Sequence, residues 1–176
     1  MNTKNLVLMA LLVAVGAALY VVTPGFVQGM KPDFMVTMMF IGILLFPSMK
    51  DTFLLGITTG VISGLFTTFP GGFIPNVIDK TVTAFIFLLA VIALKKLSEN
   101  IAVQTIFVGI GTIISGAIFL SVALFVIGSN VGKTFTTLFS LVVLPTVALN
   151  AIAFLIIYPI VTNLVKRLNF KTSVSH

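Results

Sequence analysis

Cysteine and tryptophan are absent from this chain, and its single histidine is the terminal residue, His176. Without cysteine there are no disulfides, no thiolate nucleophile and no cysteine-based metal site. Charge is almost as scarce: 8% of 176 residues are charged, and only four are acidic. No Ser–His pair, no carboxylate dyad and no cluster with metal-ligand spacing can be assembled from this inventory. Enzymatic chemistry, a metal and a bound cofactor are therefore not expected. Gly128-Ser-Asn-Val-Gly132-Lys133-Thr134 echoes a phosphate-binding loop. It lacks the full spacing and the preceding strand that such a loop requires, so ATP hydrolysis by this chain alone is not expected either.

What the chain does have is hydrocarbon. Hydrophobic residues make up 59% of it, and the mean hydropathy is +1.24. A soluble domain of this size cannot bury that much apolar surface, so several membrane spans are expected. The apolar runs divide into six candidate helices, at 6–22, 34–46, 52–69, 76–94, 101–127 and 138–164. They are separated by Thr23-Pro24-Gly25, Pro47, the Pro70–Pro75 loop, Lys95–Asn100 and Gly128–Gly132, all good turn or stop chemistry. The first run follows Lys4 like a signal peptide, but it lacks a small-residue cleavage site before Thr23 and is read as retained. The predicted fold is an all-α integral membrane bundle of six transmembrane helices forming one domain, residues 1–176. Lys4, Lys50, Lys95, Lys96, Lys166, Arg167 and Lys171 fall on one side, against Lys31, Lys80 and Lys133 on the other. The positive-inside rule then places both termini in the cytoplasm. It also explains the net charge of +6 without invoking nucleic acid.

Small residues recur at four-residue spacing, which aligns them on one helix face and lets another backbone approach. Gly56, Gly60 and Gly64 are expected to pack inside the bundle, as are Gly111 and Ser115. Ala10, Ala14 and Ala18 could either pack internally or present a smooth surface to a second membrane protein. Met35, Met38 and Met39 are read as adaptable packing or lipid-facing residues.

Polar chemistry concentrates in Thr67–Lys80, TTFPGGFIPNVIDK. Backbone that cannot be helical and side chains that avoid lipid persist in a membrane only against protein, at the interface or beside water. Asn76, Asp79, Lys80 and Thr83 share one helical face. Lys80 could take a carboxylate and Asp79 an ammonium group, which suits a zwitterion. The competing reading makes Asn76 an N-cap and Asp79 the third helical residue. Lys80 fits that reading poorly, because a cation in the first turn opposes the helix dipole. Met30-Lys31-Pro32-Asp33 repeats the theme, with Asp33 either meeting ligand or capping the second helix. Asn150 lies mid-span, with Thr146 one turn away and Pro145 freeing a carbonyl nearby; it is either ligand contact or interhelical glue. Phe66, Phe69 and Phe73 surround the Pro70-Gly71-Gly72 turn and could wall an aromatic pocket.

These residues resemble the tryptophan transport protein family TrpP, small six-helix substrate-binding (S) components of energy-coupling factor (ECF) transporters. The resemblance spans nearly the whole chain. It includes the opening KNLVLMALLVAVGAAL, the loop Gly29-Met-Lys-Pro-Asp33 with its Met-rich helix, and Thr67-Thr-Phe-Pro-Gly-Gly72 running on to Asn76, Asp79 and Lys80. It implies capture of L-tryptophan on the outer face of the cell membrane. It also implies docking of an EcfT-type transmembrane subunit on Ala10, Ala14 and Ala18, and two cytoplasmic ATPases that hydrolyse the ATP. The substrate-site candidates are Lys31, Asp33, Phe69, Gly71, Gly72, Phe73, Asn76, Asp79, Lys80 and Asn150. The alternative function is a stand-alone secondary transporter of tryptophan or another aromatic or vitamin-like molecule, although no internal repeat or continuous polar path supports it. A purely structural subunit would bind no small molecule.

Overall fold

The computed structural model describes residues 3–24, 31, 33–94, 100–129 and 132–167. Those residues form six helices and no strand. They are α1 (Thr3–Val22), α2 (Phe34–Leu45), α3 (Met49–Phe66), α4 (Phe73–Ala93), α5 (Ile101–Val126) and α6 (Phe135–Arg167). Four of them, α1, α4, α5 and α6, are long and apolar enough to cross a bilayer. Lys95, Lys96, Lys171 and His176, together with Gly29, Met30 and Pro32, lie outside the described residues.

Four predicted helix starts move earlier by three residues: α1 begins at Thr3 rather than residue 6, and three others follow local turn and capping chemistry. Helix α3 begins at Met49 rather than residue 52 because Ser48 caps it. The Ser48 hydroxyl accepts from the Asp51 amide at 3.2 Å and donates to the Asp51 carboxylate at 2.6 Å. Helix α4 begins at Phe73 rather than 76, since Gly71 turns the chain at φ +69° and Pro75 needs no amide partner in a first turn. Helix α6 begins at Phe135 rather than 138, after Thr134, whose hydroxyl accepts from the Thr137 amide at 3.4 Å. Helix α3 also ends at Phe66 rather than 69.

Helix α2 is the axis of the bundle. Every residue from Met35 to Leu45 is buried, and α2 touches all five other helices. A helix that is apolar on all sides belongs inside protein, which is why only 12 residues suffice there. At about 1.5 Å per residue they span about 18 Å, well short of a bilayer. Met35, Met38 and Met39 are each 0% exposed; the three are packing residues, and the lipid-facing alternative is ruled out. Phe40 stacks on Phe87 of α4 with ring centroids 4.0 Å apart, and Gly111 of α5 leaves room for the pair.

The glycine stripe of α3 packs inside, as expected. A Cβ on Gly60 would stand 2.9 Å from the Val77 Cα, and one on Gly64 would stand 3.0 Å from the Phe73 carbonyl oxygen. Glycine at these positions lets α3 and α4 meet backbone to backbone, and so fixes the height and rotation of the helix that carries Asn76, Asp79 and Lys80. The alanines behave differently. Ala10, Ala14 and Ala18 are exposed on the outer surface of α1, so the internal-packing alternative does not hold for them. Close approach of α1 to α2 falls instead to Gly16, whose Cβ position lies 3.2 Å from the Met35 Cα.

Candidate functional site

One end of the bundle gathers the C-terminus of α1, the N-terminus of α2, the α3–α4 turn and the α5–α6 connection. The Ser129 hydroxyl donates to the Pro70 carbonyl at 2.9 Å and ties the last two together. Beneath this end lies a cavity of about 70 Å³ that opens to solvent at its mouth.

Lys80 organises the cavity. It projects from the start of the third turn of α4, is 1% exposed, and sits between two carboxylates. Its Nζ lies 2.6 Å from Asp33 Oδ2 and pairs also with Asp79 Oδ2. A lone ion at this depth would cost about 2.5–3.5 kcal/mol on insertion scales, so each of these ions requires the other two. Asp79 is fully buried and its oxygens are occupied. Oδ1 accepts from the Thr83 hydroxyl at 2.9 Å, and Oδ2 accepts from the Ser115 hydroxyl at 2.9 Å as well as from Lys80. Asp33 differs: its side chain keeps 22% exposure and lines the cavity. Its Oδ1 caps α2 by accepting from the Val36 amide at 3.3 Å. Lys31 stands at the mouth, donating to the Tyr20 and Val21 carbonyls at 3.3 and 3.5 Å and lying 5.3 Å from the centre of the Tyr20 ring. It thereby caps the C-terminus of α1, where a cation is favoured. Two formal negative charges, Asp33 and Asp79, face two positive ones, Lys80 and Lys31, so the site is neutral as a unit.

Asn76 is not the N-cap of α4, because the helix starts three residues earlier. Its side-chain amide donates to the Gly72 carbonyl at 2.7 Å, and its oxygen accepts from the Ser63 hydroxyl at 3.0 Å. For the same reason Asp79 is the seventh helical residue, too deep for a capping box. Phe69 is 4% exposed, lines the cavity and meets Phe119 edge to face at 5.3 Å. Phe73 and Phe66 turn outward, at 44% and 48% exposure, and neither borders the cavity. Gly71 and Gly72 shape the turn above it without lining it. Asn150 is 0% exposed and packs behind the wall, donating to the Asp33 carbonyl at 3.3 Å and to the Thr112 hydroxyl at 3.2 Å. The structure thus brings Lys31, Asp33, Phe69, Asn76, Asp79, Lys80 and Asn150 to one place, and sets Phe73 apart.

Sequence reasoning passed over Tyr20, Thr112 and Phe119, treated Ser115 only as packing, and used Thr146 merely as a neighbour of Asn150. All five line the cavity. A signal was there: Thr112, Ser115 and Phe119 recur at i, i+3 and i+7, one stripe of an otherwise apolar helix. Gly116 completes that wall, since a Cβ there would strike Val143 Cγ1 at 2.6 Å. Val143 ends a π-helical turn, Phe139–Val143, just before Pro145. Proline supplies no amide to the preceding turn, and the looser spacing accommodates the loss.

Comparison with known proteins gives the same direction. The family profile described as tryptophan transporter TrpP matches residues 2–166. A probable tryptophan transport protein of Bacillus subtilis (strain 168) is 49% identical over 170 residues, covering 97% of each chain. Proteins with the same description from Clostridium perfringens and Clostridium acetobutylicum are 38% and 42% identical, covering 94% and 90% of this chain and 95% and 91% of their own. No solved structure matches the chain. With all but a few residues of the helical bundle covered by that match, the chain belongs to the tryptophan transporter TrpP family.

Proposed function

We propose that this protein is the membrane-embedded substrate-binding subunit of an ECF-type importer. It captures L-tryptophan at the outer face of the plasma membrane, with six spans and both termini in the cytoplasm. The observation that carries the reading is Lys80 held between Asp33 and Asp79 at the edge of a cavity walled by Tyr20, Phe69 and Phe119. A neutral set of four charges accepts a zwitterion without leaving a net buried charge, whereas a plain anion or cation would unbalance it. Asp33, partly open to the cavity, receives the substrate ammonium group. Lys80 and Lys31 receive its carboxylate. Asp79, with its oxygens already occupied, serves as the fixed counter-ion of Lys80. Burying an indole of about 200 Å² at roughly 25 cal/mol/Å² contributes on the order of 5 kcal/mol.

Energy comes from outside this chain. An EcfT-type subunit docks on the exposed Ala10, Ala14 and Ala18 face of α1, and two cytoplasmic ATPases hydrolyse the ATP; this chain binds no cofactor. The exposed basic residues Lys4, Lys50, Lys166 and Arg167 lie at the end of the bundle away from the cavity. That distribution supports a cavity opening outward.

The chain has no tryptophan of its own, so indole fluorescence of the purified protein reports bound ligand directly. Titration with L-tryptophan is expected to give a saturable signal that Lys80→Ala weakens at least a hundredfold. No response to L-tryptophan, or an unchanged affinity in the variant, would overturn the assignment. Proteoliposomes containing this chain alone are expected to show no uptake; uptake without ATPases would identify a secondary transporter.

A further inference from the structure

The cavity is charged on one side and uncharged on the other. Asp33, Asp79, Lys80 and Lys31 line it from the side of α2 and α4. The wall opposite is built by Thr112, Ser115, Gly116 and Phe119 of α5 with Val142, Val143 and Thr146 of α6, none of them ionic. Its hydroxyl protons are already committed. Thr112 donates to the Val108 carbonyl at 2.8 Å, Thr146 to the Val142 carbonyl at 2.7 Å, and Ser115 to Asp79 at 2.9 Å. A ligand whose head group meets the charges therefore lays its side chain toward this wall. Within the wall the two helices meet where Gly116 faces Val143. A Cβ on Gly116 would stand 2.6 and 2.7 Å from the two γ-carbons of Val143 and 3.2 Å from its Cβ. The valine thus fills the space that a side chain at position 116 would need. Val143 is 4% exposed, lines the cavity beside Gly116 and closes the π-helical turn Phe139–Val143, a rare geometry often found at functional sites.

We infer that the Gly116–Val143 pair sets the size of ring the cavity accepts, with Val143 as a specificity-determining residue and Gly116 as the position that lets it stand there. The inference rests on the tryptophan-binding reading above and deepens it. The charged side chooses an amino-acid head group, and this pair chooses among aromatic side chains by size. Valine is β-branched and stiff about its first side-chain bond, and here both of its γ-carbons are braced against α5. The wall is therefore fixed rather than yielding. One carbon more or less in an apolar pocket changes preference by about 10–200-fold, enough to rank aromatic amino acids against one another.

The test compares L-tryptophan with ring-methylated tryptophans, the methyl placed on each carbon of the benzo ring in turn, using calorimetry on the full chain in detergent. The unmodified protein is expected to bind at least one of these isomers about tenfold or more weakly than L-tryptophan. Val143→Ala removes both γ-carbons from the wall and should bring such an isomer to within about threefold of L-tryptophan. If that variant fails to fold, Gly116→Ala decides the matter. It displaces Val143, and should change the ratio of affinities between L-tryptophan and an excluded isomer by at least about threefold. Equal affinity for L-tryptophan and every isomer in the unmodified protein overturns the size filter while leaving tryptophan capture intact. A folded variant in which every excluded isomer stays excluded to the same degree overturns it as well. Failure of the unmodified protein to bind L-tryptophan removes the tryptophan assignment itself, and the filter with it.

Discussion

Two aspartates one ion pair away from the same lysine have different tasks because their surroundings differ. Asp79 accepts from Thr83, Ser115 and Lys80 and has no exposure, whereas Asp33 retains 22% side-chain exposure on the cavity. Replacing Asp79 by Asn leaves Lys80 with one carboxylate and strands a buried hydrogen-bond network. Breaking such a pair costs about 3–5 kcal/mol, so Asp79→Asn is expected to lower the melting temperature markedly in a thermal unfolding assay. Asp33→Asn keeps the cap on α2, since an asparagine oxygen still accepts from the Val36 amide. It still takes one carboxylate from buried Lys80, so it should lower the melting temperature less than Asp79→Asn does, while weakening L-tryptophan at least thirtyfold by fluorescence titration. The opposite pattern would reverse the two roles. Serine 115 belongs to the same logic: small-residue spacing on α5 suggests packing, yet its hydroxyl is spent on Asp79. That choice depends on a partner 36 positions away in the chain.

At the scale of elements, the α3–α4 pair sets the site. Gly56, Gly60 and Gly64 clear one stripe of α3 so that the two helices meet backbone to backbone there, and the turn between them places Asp79 and Lys80 below the α2 N-terminus. A methyl group on Gly60 would meet the Val77 Cα at 2.9 Å and the Asn76 carbonyl at 3.1 Å. Backbone cannot yield as a side-chain tip does, so Gly60→Ala must push the helices apart at a cost of about 1–3 kcal/mol. The expected outcome is a lower melting temperature together with weaker tryptophan binding, because α4 carries the ion pair with it. Gly109→Ala is the control, since its nearest neighbour is Val147 Cγ1 at 3.5 Å, an ordinary contact; it should change neither measurement appreciably.

For the whole molecule the relevant division is between a buried axis and an exposed coat. Helix α2 is enclosed on every side, while Val7, Leu11, Val15 and Val22 of α1 show 41–83% exposure beside the alanines. An apolar coat is the expected surface toward lipid, and on α1 the alanines make it smooth enough for another helix to approach. If the proposed importer assembly holds, replacing Ala14 by Phe on that face abolishes uptake in proteoliposomes that also contain an EcfT-type subunit and two ATPases, with L-tryptophan affinity unchanged. Equal loss of binding would return Ala14 to the fold, and full uptake would remove it from the docking surface.

Much of this was legible in the chain. Six apolar runs interrupted by Thr23-Pro24-Gly25, Pro47, Pro70–Pro75, Lys95–Asn100 and Gly128–Gly132 specify six helices, because clustered turn residues end a hydrophobic run, whereas single ones such as Gly60 and Pro159 lie within helices. The spacing of Asn76, Asp79 and Lys80 puts them on one face by helical geometry alone. The helix starts at Met49, Phe73 and Phe135 were displaced by three residues, because a cap is a matter of side-chain direction and turn conformation, which periodicity does not encode. Sequence alone also determines that charge this scarce in hydrocarbon must be gathered and paired. Tertiary structure decided which charges pair, that Phe69 turns inward while Phe73 turns out, and that the alanines of α1 face outward while Gly16 meets α2. Those outcomes depend on contacts between helices distant in the chain. Only the folded bundle holds Asp33, Lys80 and Asn150 close enough to share their hydrogen bonds.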